Sequence, residues 1–300
     1  MSKIVARLSG GIGNQLFTYA AARRLAIGNG AELVLDAVSG FKYDRQYCQR
    51  FQLDQFHIPC RKATAAERLL PFARVRRYLM RRLNMTRSFE RRSYLRQECI
   101  DFDPRLLTLR PKGTFYLEGY WQSEGYFKDI ESQIRDDLRI KPPTDVMNQQ
   151  MAQRIRNATS VAVHVRFFDE PATSSGNAQS ANNAPGDYYR RAIAEMEQSV
   201  PGVHYFVFSD RPHVAKNRLP LGDERMTIVG HNQGDAMASS DLWLMTQCQH
   251  FIIANSTFSW WGAWLGENAD TLVIAPGFDK REGKAWWGFT GLLPERWIKL

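Results

Sequence analysis

The chain has 300 residues, 44% hydrophobic and 24% charged, with 21 glycines and 13 prolines. That composition excludes disordered, collagen-like and disulfide-scaffold classes and leaves a soluble folded chain with material for two domains. Its formal net charge of +9 favours anionic partners such as nucleotides, phosphates or an acidic membrane surface.

Lys3 to Arg7 is an apolar-rich run that predicts a strand, followed by the turn Ser9-Gly10-Gly11-Ile12-Gly13. Leu16, Phe17, Ala20, Ala21, Leu25 and Ala26 then mark the buried face of a helix ending at Gly28-Asn29-Gly30. Ala31 to Asp36 supplies a second strand, so the chain opens as a βαβ unit of Rossmann-like type. Between Arg68 and Arg96, arginines gather against the single acid Glu90, with Leu69, Leu70, Phe72, Val75, Leu79, Met80 and Leu83 at helix-like spacing. A basic amphipathic helix is predicted, read either as a solvated face or as peripheral attachment to an anionic membrane. Thr114 to Glu118 is a further strand, ahead of Gly119-Tyr120-Trp121-Gln122-Ser123.

Pro142-Pro143 breaks the pattern, and the domain boundary is drawn there, giving domains 1–143 and 144–300. A helix is expected from Thr144 to Arg156, then a Val-rich buried strand from Ser160 to Val165. Helices over 187–198, 236–247 and after Ser256 alternate with strands over 203–208, 226–229, 251–254 and 272–275, the pattern of an α/β parallel sheet. The polar stretch 172–186 has no apolar period and suits a lid beside a site. No run approaches the roughly 20 apolar residues that cross a bilayer, and the N-terminus lacks a signal-peptide pattern, so a cytoplasmic protein is expected. Cys48, Cys60, Cys99 and Cys248 are scattered without CxxC or zinc spacing.

Gly10 to Gln15 partly matches a dinucleotide fingerprint but has Leu16 where the third glycine belongs, so it reads equally as a bare turn or as a ligand turn offering the Asn14 and Gln15 amides. His164 and Arg166 alternate onto one face at the end of a strand, with Asp169 just beyond. A guanidinium there can fork two phosphate oxygens, which favours an anion site over a packed structural histidine. Asn255-Ser256-Thr257-Phe258 follows a buried strand and starts a helix, so its hydroxyls and free N–H groups either cap the helix or converge on an anion. Asp241, on the preceding helix, is a solvated acid or an acceptor for a guanine edge. Asp101-Phe102-Asp103 precedes Pro104 and reads as a helix start, so no metal is inferred from it.

Five ordered pieces carry a resemblance through most of the chain: Gly10 to Phe17, Gly119 to Ser123, His164-Val165-Arg166, Phe208-Ser209-Asp210, and His250 to Gly262. In these the chain resembles the α1,2-fucosyltransferases of glycosyltransferase family 11. The resemblance implies a GT-B architecture, two Rossmann-like domains facing a cleft, the first on the acceptor side and the second holding the donor GDP-fucose. It implies inverting transfer to the 2-hydroxyl of a galactose residue in an oligosaccharide or lipid-linked glycan, with no catalytic metal, no cofactor beyond the donor substrate, and no nucleic-acid partner. By the same resemblance Arg166 contacts the donor diphosphate with His164 beside it, Asn14 reaches the site from the first domain, Asp241 binds guanine, and Asn255, Ser256, Thr257 and Phe258 enclose base and phosphates. The family commonly continues its strand motif as His-x-Arg-Arg-Gly-Asp, and here Phe167 and Phe168 replace the second Arg and the Gly.

Asp169 is the candidate base for the acceptor hydroxyl, with Glu170 in reserve. Arg166 and the helix start at Ser256 are the expected stabilisers of the departing diphosphate. The competing readings are a dinucleotide-dependent oxidoreductase, suggested only by the first glycine turn, and a noncatalytic glycan- or nucleotide-binding protein.

Overall fold

The computed structural model describes residues 2–42, 44, 48–167, 183–277 and 287–300. They form two compact units, Met1–Arg139 with Phe289–Leu292, and Ile140–Gly288 with Leu293–Leu300. The return of 289–292 to the first unit is fixed by hydrogen bonds: the Phe102 N–H donates to the Thr290 carbonyl at 3.0 Å, and the Thr290 N–H to Asp101 Oδ1 at 2.9 Å.

The first unit runs β1 (Lys3–Arg7), α1 (Ile12–Ile27), β2 (Glu32–Asp36), β3 (Arg61–Lys62), α2 (Ala73–Met85), β4 (Tyr94–Arg96), α3 (Arg105–Thr108), β5 (Thr114–Glu118) and α4 (Glu131–Asp137). Its strands pair in the order β3-β2-β1-β5-β4, all parallel. A parallel sheet needs crossovers that cover its faces, which is why β1 and β5 carry continuous apolar runs, with Ile4, Val5, Ala6, Phe115 and Leu117 buried. α1 packs on β1 and β2 through Leu16, Phe17, Ala20 and Ala21.

The second unit runs α5 (Val146–Arg156), β6 (Ser160–Val165), α6 (Gly186–Ser199), β7 (His204–Ser209), α7 (Pro212–Ala215), β8 (Met226–Val229), α8 (Ala238–Met245), β9 (His250–Ile252), α9 (Thr257–Gly266), β10 (Val273–Ala275) and β11 (Ile298–Lys299). The parallel order β8-β7-β6-β9-β10-β11 is that of a Rossmann sheet. One layer of its core is Val161, Val163, Val165, Tyr188, Tyr189, Tyr205 and Val207. The alternation read from the sequence is thus present in both units, while the two- or three-residue strands β3, β4 and β11 were not anticipated. No helix among the described residues is long and apolar enough to cross a membrane.

α2 departs from a simple amphipathic helix. Its apolar residues face out, with Phe72, Val75, Leu79 and Leu83 each more than half exposed, while Arg77, Arg81 and Asn84 face the unit. Arg77 pairs with the buried Asp36 at 3.2 Å, and Arg81 with Glu118. Asn84 accepts the backbone N–H groups of Ser93 at 2.6 Å and Tyr94 at 3.2 Å.

Candidate functional site

In an open parallel sheet the ligand crevice lies beyond the strand C-termini, where neighbouring crossovers depart in opposite directions. In the second unit that point lies between β6 and β9, and the register aligns their ends: Val163 pairs with Ile252, and on the other side Val165 pairs with Ser209 of β7. His164-Val165-Arg166, Ser209-Asp210 and Asn255 to Phe258, separate in sequence, therefore emerge side by side.

The Arg166 guanidinium reaches Asp210 at 3.3 Å, and Asp210 also accepts the Phe167 N–H at 3.1 Å. Asp210 thus holds both the arginine side chain and the backbone of the next residue. The His164 ring lies 5.4 Å from that of Phe258, and the Tyr189 hydroxyl donates to the His164 carbonyl at 2.9 Å. Burial, with the neighbouring Arg166 charge, pushes the His164 imidazole down to about 3, so it is neutral at physiological pH. Its buried Nδ1 has no hydrogen-bond partner. Ser256 occupies the N-cap position of α9 in extended backbone, yet its hydroxyl makes no capping bond. That leaves the hydroxyl available to an incoming anion.

Phe167 turns into the core of the second unit, 4% exposed, with the guanidinium groups of Arg211 and Arg218 at 5.2 Å and 5.1 Å from its ring. Asp169, Glu170 and Phe168 lie outside the described residues, as does most of the expected lid, 172–182.

Asp241 sits in the first turn of α8, part-buried rather than solvated, and Asn232 Nδ2 donates to its Oδ1 at 2.8 Å. Asn232 also exchanges amide bonds with Asn148 at 2.9 Å and 3.0 Å, and Asn148 donates to Asp145 at 2.8 Å. Burial pushes the Asp241 carboxyl up to about 7, against the opposing pull of the Asn232 amide. Asn232 and Asn148 take part in this geometry without having been singled out for it, and Asp210 takes part as the end of the Phe208-Ser209-Asp210 motif, with no role assigned to it from the sequence. Asp210 could have been found from its position directly after a strand of the same sheet. The two asparagines gave no such signal, because they lie 84 residues apart.

The first unit has its own switch point, between β1 and β5. Gln122 Nε2 donates to Asn14 Oδ1 at 2.8 Å, and the Thr18 hydroxyl donates to the Gly119 carbonyl at 2.9 Å, which joins the two aromatic-and-amide motifs. Gly10 has φ +73°, and a Cβ there would meet Asn14 Nδ2 at 2.8 Å, so glycine is required. Gln15 is fully buried: its Nε2 donates to the carbonyls of Gly10 at 2.9 Å and Arg50 at 2.8 Å, and its Oε1 accepts the Gln52 N–H at 3.0 Å. Of the two amides in this turn, Gln15 is structural and Asn14 is the one held by a side chain of the facing motif. The carboxylates of Asp101 and Asp103 are occupied within this unit, the first by Thr290 and the second by Arg105 at 2.6 Å. Asp103 Oδ1 also accepts the Arg105 N–H at 3.0 Å, but the N-cap of α3 is Pro104, so Asp103 stands one residue ahead of the position expected for it.

The family model for glycosyl transferase family 11 matches residues 4–285. The chain belongs to this family. It is 28% identical to an alpha-1,2-colitosyltransferase of Escherichia coli over 100% of its own length and 99% of that protein. It is 27% identical to the human galactoside alpha-(1,2)-fucosyltransferase 1 over 53% of this chain and 45% of that one. Its fold is similar to that of the NodZ alpha-1,6-fucosyltransferase, solved after soaking with GDP-fucose, with a TM-score of 0.50 and 15% identity over 88% of this chain and 92% of that one. This family 11 glycosyltransferase therefore has an α/β fold of GT-B type, with two parallel sheets in succession.

Proposed function

We propose that this family 11 glycosyltransferase moves L-fucose from GDP-fucose to the 2-hydroxyl of a galactose residue, with inversion at the sugar. The observation that carries the reading is the set at the β6/β9 switch point: a guanidinium pinned by Asp210, a neutral buried imidazole and an uncommitted helix N-cap, all at the edge where a Rossmann sheet takes nucleotides. The α1,2 linkage in the names of the bacterial and human relatives supports the regiochemistry. The nucleotide in the similar solved structure is consistent with the donor class.

In the proposed reaction the acceptor oxygen bonds to the fucose anomeric carbon as the bond from that carbon to the diphosphate breaks, and the electron pair leaves with GDP. Arg166 and the N–H groups at the start of α9 meet the charge that develops on the diphosphate, so no metal is called for. His164, neutral, lines the phosphate side with Ser256 and Thr257, and Asn255 and Phe258 complete the enclosure. Asp241, deprotonated, accepts from the ring N–H and the 2-amino group of guanine. Asn14 serves the acceptor from the first unit, and Asp169 takes the hydroxyl proton, with Glu170 in reserve. Colitose is the alternative donor sugar, favoured by the full-length match to a colitosyltransferase.

Release of GDP from GDP-fucose, measured with and without a β-galactoside, tests this. The expected result is acceptor-dependent GDP together with a product cleaved by an α1,2-specific fucosidase. GDP binding without acceptor-dependent release would make the protein a nucleotide binder. Turnover of the colitose donor alone would replace fucose.

A further inference from the structure

α2 is built inside out. Along its inward side run Arg77, Arg81 and Asn84, and each is engaged: Arg77 with Asp36 at 3.2 Å and the Ser39 hydroxyl at 2.6 Å, Arg81 with Glu118, and Asn84 with the backbone of Ser93 and Tyr94. The helix is therefore anchored to its unit by polar contacts, and its apolar residues are turned away. Val75, Leu79 and Leu83, at i, i+4 and i+8, make one outward stripe about 12 Å long, and Phe72, the residue just before the helix, is exposed at its start. Phe72 is 75% and Leu83 61% exposed, with Tyr78 and Met85 on the flank also more than half exposed. A contiguous apolar patch of this kind on a folded unit marks an interaction surface. Leu69 and Phe72 hold left-handed backbone, φ 66° and 65°, a conformation that bulky side chains rarely adopt, at the entry that projects the Phe72 ring outward.

The charges beside the stripe say what covers it. At 100° per residue, Arg76 borders it on one side and Arg82 on the other, both exposed. Arg76 bonds the Leu70 carbonyl at 3.3 Å, and the Arg82 guanidinium stacks 5.6 Å from the Tyr78 ring. Exposed Arg87 and Arg91 continue the basic surface, and Glu90 is the single acid from Arg68 to Arg92. Two copies of this face brought together would set arginine against arginine. A surface of phosphate groups over acyl chains matches both features at once, with guanidinium groups at the phosphates and Phe72, Val75, Leu79 and Leu83 below them.

We propose that α2 is a membrane-surface anchor that lies in the plane of an anionic bilayer, apolar stripe down, and holds the first unit against it. The proposal is independent of donor and acceptor identity. The test is sedimentation of the full chain with vesicles of phosphatidylcholine alone and of phosphatidylcholine containing phosphatidylglycerol. The chain is expected to sediment with the anionic vesicles, not with the neutral ones, and less at high salt. Leu79→Asp with Leu83→Asp, both at exposed positions, should lower the partition at least about tenfold by taking two leucines out of the proposed bilayer contact, with an unchanged melting temperature. Arg76→Glu with Arg82→Glu should lower it comparably while leaving the apolar stripe intact. Absence of wild-type binding to anionic vesicles, or equal partition of wild type and the Leu79→Asp, Leu83→Asp variant, would overturn the proposal. So would a dimer in sedimentation velocity that this variant dissolves, because the occupant would then be a second copy.

Discussion

At the first unit's switch point Asn14, Gln15 and Gln122 are held by neutral amide bonds, whereas the second unit's has the Arg166–Asp210 ion pair and a buried neutral imidazole. The two sheets obey the same topological rule and present different chemistry at the same place. Neutral amides suit the hydroxyls of a sugar. A guanidinium beside an uncommitted helix N-terminus suits a diphosphate that gains charge as it leaves. The division of labour proposed here follows from what each crevice can stabilise.

Removing Arg166 should break this contrast most severely. Arg166→Ala takes away a charge-assisted phosphate contact of about 1.5–3 kcal/mol, so transfer should fall by about tenfold to a hundredfold or more, with an unchanged melting temperature. Initial rates on the purified variant check this, and activity above about a tenth of wild type would remove Arg166 from the leaving-group role.

The converse variant lies in the first unit. Gln15→Ala leaves the Gly10 and Arg50 carbonyls and the Gln52 N–H without their partner. A loss of folding stability on the order of 3 kcal/mol is expected in denaturant titration. At temperatures where the variant is folded, GDP affinity should match wild type.

Asp241 gives a smaller, pH-dependent effect. Its carboxyl, raised to about 7 by burial, must lose its proton before it can accept from guanine. GDP binding should therefore weaken as pH falls below about 7, approaching tenfold per unit, and the slope should vanish in Asp241→Asn. The sign for folding is opposite. The folded state favours the protonated acid, so the unliganded protein loses stability as pH rises from the ordinary carboxylate range to about 7, a loss the Asn variant avoids. Calorimetric titration across this range reads the first effect, and thermal melts read the second. The smallest effect is expected of chelation: excess EDTA should leave the initial rate of GDP release unchanged, and a loss restored by magnesium or manganese would give the leaving group a metal partner.

Much of this organisation was legible in the sequence because parallel strands are buried on both faces and appear as apolar-rich runs without alternation, as at Val161 to Val163 of β6. Edge strands lack that signature, and Arg61–Lys62 of β3 is two exposed cations. Periodicity disclosed α2 but not which side faces in, because its orientation depends on Asp36 and Glu118, distant in sequence and adjacent in the sheet register through β1. In the site, Arg166 was legible from its place at a strand end. The Asn148–Asn232 support of Asp241 was not, because amide pairing follows from the fold and leaves no local pattern.

Calorimetric titration of GDP against wild type, Arg166→Ala and Asn14→Ala separates the two crevices most directly. If the nucleotide is gripped at the β6/β9 switch point, Arg166→Ala should bind GDP about tenfold more weakly or worse, and Asn14→Ala should bind it as wild type does. Unchanged affinity in Arg166→Ala together with a loss in Asn14→Ala would contradict that placement and move the nucleotide to the first unit.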